Sequence, residues 1–331
     1  LSIDLNHHQS LNNLGRSFLK KLDYINANKN FQKALELEPE NYEYIHSLYS
    51  LLITVHPDRY MPGWAKGFEI LLQKSKLLGH DQMIFLSYNG FKHLKKNDNV
   101  SALIQKPKIE TDDLPELESL FHYKILIFCL KYGLVLDYDF ENLLTKIRNF
   151  YLNYDQKINI NINTHVFLSS LAQYNFFNNY IFAEADDELK KLEHLENKLN
   201  KRFEDKTPLD PYDYLRIACY RPLFNYKFSE TIHINDIDKE LINYTIINPK
   251  KEITLIKNIK TVNEIKNDVS LKIRGQYETF PYPSWIYCKP QSYKRSISQY
   301  LKDISIQVSE DKEKSLEKKH VLIAGCGTGK Q

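Results

Sequence analysis

The sequence is poor in glycine and contains no long apolar run. Only 10 of its 331 residues are glycine, well below the ~7% that is typical of soluble proteins. Few glycines imply few tight turns, which favours a helical chain. The longest apolar stretch, residues 125–130, is far shorter than the ~20 residues that a membrane-spanning helix needs. We therefore expect neither a membrane protein nor a membrane partner.

Cysteine is also scarce, and its spacing excludes two further classes of protein. The four cysteines, Cys129, Cys219, Cys288 and Cys326, form no C-x-x-C pair and have no histidine at a matching distance. This pattern argues against a zinc site or another metal site, and against a disulfide framework. It indicates a reducing compartment, and we expect a cytoplasmic protein.

Charge of one sign is not in excess. The chain has 45 Lys and Arg against 42 Asp and Glu, a net charge of +3, with 42% hydrophobic and 26% charged residues. This balance argues against a nucleic-acid partner, and the composition excludes disordered and collagen-like chains. The length predicts two or three domains. Because the sequence starts at Leu1 and stops two residues after a glycine cluster, we expect a fragment cut at both ends.

Apolar residues at helical spacing predict two helices within the first forty residues. One stripe starts at Leu11 and the second at Tyr24, with Asp23 as the N-terminal cap of the second helix and Pro39 just beyond its end. Gly15 inside the first helix indicates a close crossing, with Ala27 on the facing helix. The two stripes are Leu11, Leu14 and Phe18, then Tyr24, Ala27, Phe31 and Ala34.

This helix pair resembles a tetratricopeptide repeat. The positions that match the 34-residue pattern of that family are Leu11, Leu14, Gly15, Phe18, Ala27, Phe31, Ala34 and Pro39, with Leu11 where the family usually has Trp. The resemblance implies a groove that binds a protein or peptide partner. The alternative is a plain helical hairpin inside a larger helical domain.

Helical periodicity continues to about Arg221. The predicted helices span residues 42–53, 64–78, 81–95, 116–132, 139–153, 164–182, 185–204 and 210–219, with a first linker at 97–115. The period then changes, and Ile253, Leu255 and Ile256 suggest short strands or an irregular connection. We regard the aromatic residues at 174–180 as core rather than as cofactor contacts.

The end of the sequence carries the strongest chemical motif. A short apolar β-type run at residues 320–324 leads into Gly325-Cys326-Gly327-Thr328-Gly329, an arrangement that nucleotide-binding α/β sheets use. A P-loop would need Ser or Thr where Gln331 stands. A dinucleotide fingerprint would need its third glycine one residue later.

The remaining spacing, G-x-G-x-G after a strand, resembles motif I of class I S-adenosylmethionine-dependent methyltransferases. The resemblance implies that Gly325, Gly327 and Gly329 line the methionine end of S-adenosylmethionine, with Cys326 and Thr328 presenting backbone groups. This sequence departs from the family at Ile323, where Asp or Glu is common. Other nucleotide-binding folds remain as alternatives.

A second block supports this resemblance. Residues 274–285, RGQYETFPYPSW, are similar to the R-x-Q-Y-E-x-x-P-Y-P-x-W segment of bacterial proteins that join tetratricopeptide repeats to a methyltransferase domain. Residues 171–180 match the L-A-x-Q-x-F-x-N-E-Y segment of those proteins loosely, with Asn179 where Glu is usual. We expect Tyr277, Tyr282 and Trp285 to form a lid over the cofactor pocket. The alternative is a hydrophobic clasp.

Together these motifs predict a mainly α protein, a TPR-like helical array that ends in the first strand of a truncated Rossmann-like methyltransferase domain. The expected parts are a TPR-like region at 1–58, a helical middle region at 59–232, a connection at 233–268 and the start of the methyltransferase domain at 269–331. The expected function is methyl transfer to an unknown acceptor, with catalytic residues beyond Gln331 and an inactive fragment here. The alternative is an interaction module without catalysis.

Overall fold

The computed structural model describes residues 7–154, 161–233, 239–258, 266–279 and 296–306. These residues are mainly helical and contain no strand. The first nine α-helices are α1 His8–Lys20, α2 Tyr24–Leu37, α3 Tyr42–Thr54, α4 Pro62–Leu72, α5 Ser75–Leu78, α6 His80–Leu94, α7 Asp98–Gln105, α8 Leu114–Leu120 and α9 Lys124–Tyr132.

Eight further α-helices follow in the described residues. They are α10 Tyr138–Asn153, α11 Ile162–Phe177, α12 Asp186–Glu204, α13 Pro211–Ala218, α14 Lys239–Ile242, α15 Asn248–Ile256, α16 Asp268–Thr279 and α17 Ile297–Asp303. A π-helical turn, Asn243–Ile247, joins α14 to α15. Short 3-10 turns at Thr111–Asp113, Leu223–Asn225 and Lys227–Thr231 complete the regular structure.

The first two helices form the expected antiparallel hairpin. Asp23 caps α2 by accepting a hydrogen bond from the Asn26 backbone N–H at 3.1 Å, and α2 ends two residues before Pro39. A Cβ atom at Gly15 would lie only 2.5 Å from the buried ring of Phe31, so the close crossing of the two helices is confirmed. The expected apolar stripe of α1 is only partly buried, because Leu14 is 46% exposed.

Polar side chains connect this hairpin to the next helices. The side-chain amides of Asn28 and Gln32 on α2 both donate to the Gly63 carbonyl, at 2.9 and 2.7 Å. Pro62 begins α4, where a missing N–H costs nothing. Behind this contact Trp64 and Phe68 are fully buried, so α4 packs as a third layer on the hairpin.

The linker expected at residues 97–115 is not a linker. Helix α7 and the start of α8 lie there, and Val100, Leu103 and Leu117 are buried in the core. Lys146 on α10 donates to the carbonyls of Leu103, Ile104 and Lys106 at the end of α7. This stretch is polar because it contains the ends of short helices. The free carbonyls at such an end accept hydrogen bonds from a side chain of another helix.

The short strands expected near residues 253–256 are wrong. Helices α14 and α15 and the π-helical turn between them occupy this region. Leu241 and Ile242 on α14 and Ile246 in the turn are buried. Ile253, Leu255 and Ile256 are exposed, so their branched side chains do not report a buried strand. A strand also needs a neighbouring strand to satisfy its backbone, and the described residues provide none.

One hydrophobic core extends from Leu11 to Ile246. The chain divides into two compact units, residues 1–262 and residues 263–331. The first unit is the helical array, and the described part of the second consists of α16 and α17. No helix in the described part of the chain is both long and apolar enough to cross a membrane.

Candidate functional site

Most of the residues that the sequence assigns to cofactor binding lie outside the described part of the chain. These are the loop Gly325, Cys326, Gly327, Thr328 and Gly329, and the lid residues Tyr282 and Trp285. The third lid residue, Tyr277, lies on α16 and is 59% exposed. One turn of the same helix carries an ion pair in which Arg274 Nε donates to Glu278 Oε1 at 2.6 Å.

The middle segment 171–180 belongs to the scaffold. On α11, Gln173 donates to the Lys131 carbonyl at 2.9 Å, and Asn175 donates to the Cys219 carbonyl at 2.8 Å. The Tyr174 hydroxyl accepts from the Val135 N–H at 3.2 Å and donates to the Val135 carbonyl at 3.3 Å. The polar residues of this segment therefore bind main-chain groups of neighbouring turns, which confirms Tyr174 as part of the core.

The end of this segment adopts an unusual backbone. Asn179 and Tyr180 both have positive φ, 57° and 55°, in a region that bulky residues rarely occupy. The Tyr180 N–H donates to the Asn175 carbonyl at 2.8 Å, which closes the C-terminus of α11 and turns the chain toward α12. Burial raises the pKa of the Tyr180 hydroxyl, so it remains protonated. These features describe a turn held by the core.

A buried charge cluster joins α10, α12 and α13. The guanidinium of Arg148 lies 4.0 Å from the centre of the Tyr220 ring and donates to the Ala183 carbonyl at 2.7 Å. The Tyr220 hydroxyl bonds the carboxylate of Glu188. All three side chains are fully buried. Because a buried cation is costly unless it is compensated, the Tyr220 ring and the Ala183 carbonyl are the contacts that stabilise Arg148 inside the core.

The described cysteines are not suited to nucleophilic chemistry. Cys129 and Cys219 are free and fully buried. Burial raises the pKa of the Cys219 thiol to about 12, and it raises the pKa of Cys129 further. A thiol reacts as its thiolate, so both side chains serve packing. Within the ranges that the structure describes, no cluster of His, Cys, Asp and Glu could hold a metal ion.

Polar side chains connect α1 of the hairpin to α3. His8 Nδ1 lies 2.7 Å from the Tyr44 hydroxyl, and Arg16 forms an ion pair with Glu43 at 2.9 Å. Asn12 also reaches Glu43, at 3.4 Å. The residues on α1 follow each other at a spacing of four, so they share one side of the helix.

Among the cavities of the described chain, two are open clefts. The larger has a volume of about 680 Å³ and is lined by Phe203, Leu209, Tyr214 and Ile232 with several polar residues. The second, of about 520 Å³, lies beside Lys108, Asp112, Asn153 and Asp187. Both adjoin ends of the described ranges. A third, much narrower recess lies between the turn that follows α3 and the C-terminal end of α6.

Comparisons with protein-family models, with curated protein sequences and with solved structures found no match to this chain.

Proposed function

We propose that this chain is the helical scaffold, and the beginning of the cofactor-binding domain, of a class I S-adenosylmethionine-dependent methyltransferase. The observation that carries the proposal is the order of four segments: a repeat-like hairpin, the segment at 171–180, the Y-P-x-W block and the terminal G-x-G-x-G. Each segment is short, but their order covers nearly the whole chain. These four segments do not specify the methyl acceptor.

Two features of the described residues support this organisation. The helical array has a continuous core that ends at Ile246, and the second unit begins at Asn263, before the Y-P-x-W block and the glycines. A scaffold followed by a separate unit is the arrangement that the proposal requires.

The proposed roles of the terminal residues follow from their chemistry. Glycines let the backbone approach a ligand closely, because no Cβ atom intervenes, so Gly325, Gly327 and Gly329 would line the methionine end of the cofactor. Tyr277, Tyr282 and Trp285 would cover the pocket. S-adenosylmethionine supplies an activated methyl group, and the contribution of the protein is chiefly to position donor and acceptor.

Titration calorimetry of S-adenosylmethionine with the complete protein that contains this sequence tests the proposal. We expect saturable binding that Gly327→Asp weakens at least tenfold, since the new carboxylate would fill the approach and repel the cofactor carboxylate. Gly63→Asp is the matched control, because a Cβ atom there meets nothing within 4 Å. Absence of binding by the wild-type protein would overturn the enzyme proposal.

A second candidate function is a module that binds a protein or peptide. The exposed ion pair between Arg16 on α1 and Glu43 on α3 favours it, because a partner could exchange contacts with these two side chains. The calorimetric experiment separates the two candidates. A complete protein that is folded but does not bind S-adenosylmethionine favours the module.

A further inference from the structure

A narrow recess between the turn that follows α3 and the C-terminal half of α6 has a basic lining. Its wall includes His56, Trp64, Asn89, Lys92, His93 and Lys96. Four of these side chains carry basic nitrogens, and no residue of the lining is acidic. The positive charge of the recess comes from its two lysines, and a field of one sign attracts ions of the opposite sign, because the low-dielectric walls concentrate it.

His93 is the most buried polar group of the recess. It is 3% exposed, and its ring packs between Tyr60, with centroids 5.3 Å apart, and Phe68, at 6.2 Å. Nε2 lies 3.1 Å from both the backbone nitrogen and the carbonyl oxygen of Met61. Nδ1 is buried and has no hydrogen-bond partner among the described residues. Buried polar atoms are rarely left unpaired. With Nε2 accepting from the Met61 N–H, Nδ1 carries the ring proton and is a donor that an anion would satisfy.

The two lysines keep their positive charge uncompensated by carboxylates. Lys92 lies in the last turn of α6, and Lys96 lies in the turn that follows this helix; both line the recess. Lys96 Nζ donates to the Pro57 carbonyl, which holds the turn against the helix and leaves two further N–H donors. Lys92 is exposed, and neither lysine has an ion pair within the described residues. Burial lowers the pKa of His56, and the two lysines lower it further, as expected for a positive field.

The size of the recess limits what it can hold. Its interior has a volume of about 10 Å³, room for one water-sized group, and with its open mouth it measures about 190 Å³. One oxygen of an anion fits the interior, and the rest of a small group fits the mouth beside Lys92. An adenine-containing cofactor does not fit.

We propose that this recess is a binding site for a small oxyanion, a carboxylate or phosphate group held by Lys92, Lys96 and His93. The site is separate from the proposed methyltransferase motif and does not depend on it. One oxygen would occupy the inner end near His93, and Lys92 would neutralise charge at the mouth. The occupied site would also give His93 Nδ1 a partner.

The test follows the His93 ring by NMR in the full chain, with ¹³C-labelled histidine, and His93→Gln identifies its resonance. Sodium phosphate and sodium acetate are the probes, each titrated at constant ionic strength against sodium chloride. We expect a saturable shift of the His93 resonance with at least one oxyanion. Lys92→Gln should weaken the affinity about two- to fivefold, the range that one exposed charge contact contributes. Lys92 is exposed, so this variant should fold.

The control variant is Lys29→Gln, which removes an exposed lysine on α2, outside the lining of the recess. A response to phosphate alone would identify a tetrahedral anion as the ligand class, and a response to acetate alone a carboxylate. A shift that does not saturate, an equal shift with chloride, or equal effects of Lys92→Gln and Lys29→Gln would overturn the proposal.

Discussion

At the scale of single residues, Gly15 is a position where a side chain is excluded by packing. Glycine inside a helix normally costs about 1 kcal/mol relative to alanine. Here an added Cβ atom would lie 2.5 and 2.6 Å from two carbons of the Phe31 ring. Because Phe31 is completely buried, its ring has little freedom to move away, and the gain in helix propensity cannot be realised.

We therefore predict that Gly15→Ala lowers the free energy of unfolding. Overpacking of a dense core typically costs about 1–3 kcal/mol, which exceeds the ~1 kcal/mol gained from propensity. Urea denaturation followed by circular dichroism measures the change. Gly63→Ala is the matched control, because its Cβ atom would have open space, and its stability should stay constant or rise. Equal stability of the two variants would contradict the packing argument.

Arg148 illustrates a second kind of residue-scale constraint. Its side chain is buried at 1% exposure, and the Tyr220 ring and the Ala183 carbonyl are its contacts on two sides. In the sequence it is one of the four charged residues of α10, and nothing in its spacing sets it apart. Only the packing of α10 against α12 and α13 distinguishes it from the solvent-exposed arginines.

At the scale of elements, the turns between helices are held by side chains from a third helix. The Tyr174 hydroxyl on α11 bonds both backbone groups of Val135 in the connection between α9 and α10. Lys146 binds three carbonyls at the end of α7 in the same manner. Because the backbone groups of a turn lack the partners that a helix provides, these side chains allow the connections to be buried.

We predict that Tyr174→Phe destabilises the protein by about 1–3 kcal/mol, since it leaves a buried N–H and a buried carbonyl unpaired. Tyr138→Phe removes the same hydroxyl from a residue that is 80% exposed, and it should change stability by less than about 0.5 kcal/mol. Thermal unfolding by calorimetry compares the two variants. Similar melting temperatures for both would show that the Val135 bonds contribute nothing.

Element prediction succeeded where apolar spacing was long and clear, as in α10 and α12. The helix predicted at 116–132 is instead two helices, α8 and α9, with a break at residues 121–123. The helix predicted at 64–78 likewise divides into α4 and α5. At residues 121–123 the apolar residues continue through the break, because the turn itself is buried, as Phe121 is at 3% exposure. The break between α4 and α5 falls instead at the polar residues Gln73 and Lys74. The spacing of apolar residues indicates which side chains are buried, and it does not indicate where the chain changes direction.

At the scale of the whole molecule, the hydrophobic core belongs to the helical array. Every buried residue of the core cluster lies between Leu11 and Ile246. The described apolar side chains of α16 are exposed, with Val269 at 63% and Ile273 at 49%. The helical array can therefore be stable by itself, because the second unit, residues 263–331, contributes none of the described core.

We predict that a chain of residues 1–262 folds cooperatively and melts within a few degrees of the 331-residue chain. Calorimetric unfolding and far-ultraviolet circular dichroism measure this, with the 331-residue chain as reference. A truncation at residue 232 is the contrasting variant. It removes Leu241, Ile242 and Ile246 from the core, so its melting temperature should fall clearly. Loss of cooperative unfolding in residues 1–262 would contradict independence of the array.

The sequence by itself determined the helical class, the α1–α2 hairpin and the need for a small residue at position 15. These features depend on local spacing and on residues such as Asp23 and Pro39, whose effects act within a few positions. Its terminal glycine motif carries the proposed function, and it lies outside the described residues.

Only the tertiary structure decided that residues 97–115 and 239–256 are packed helices, that Arg148 is buried and that Lys92, Lys96 and His93 line one recess with His56. These outcomes depend on contacts between residues far apart in the chain, such as Lys96 with Pro57 and Lys146 with Leu103. The spacing of residues along the sequence does not specify such contacts, because the burial of a side chain and the charges around it depend on which helices pack beside it.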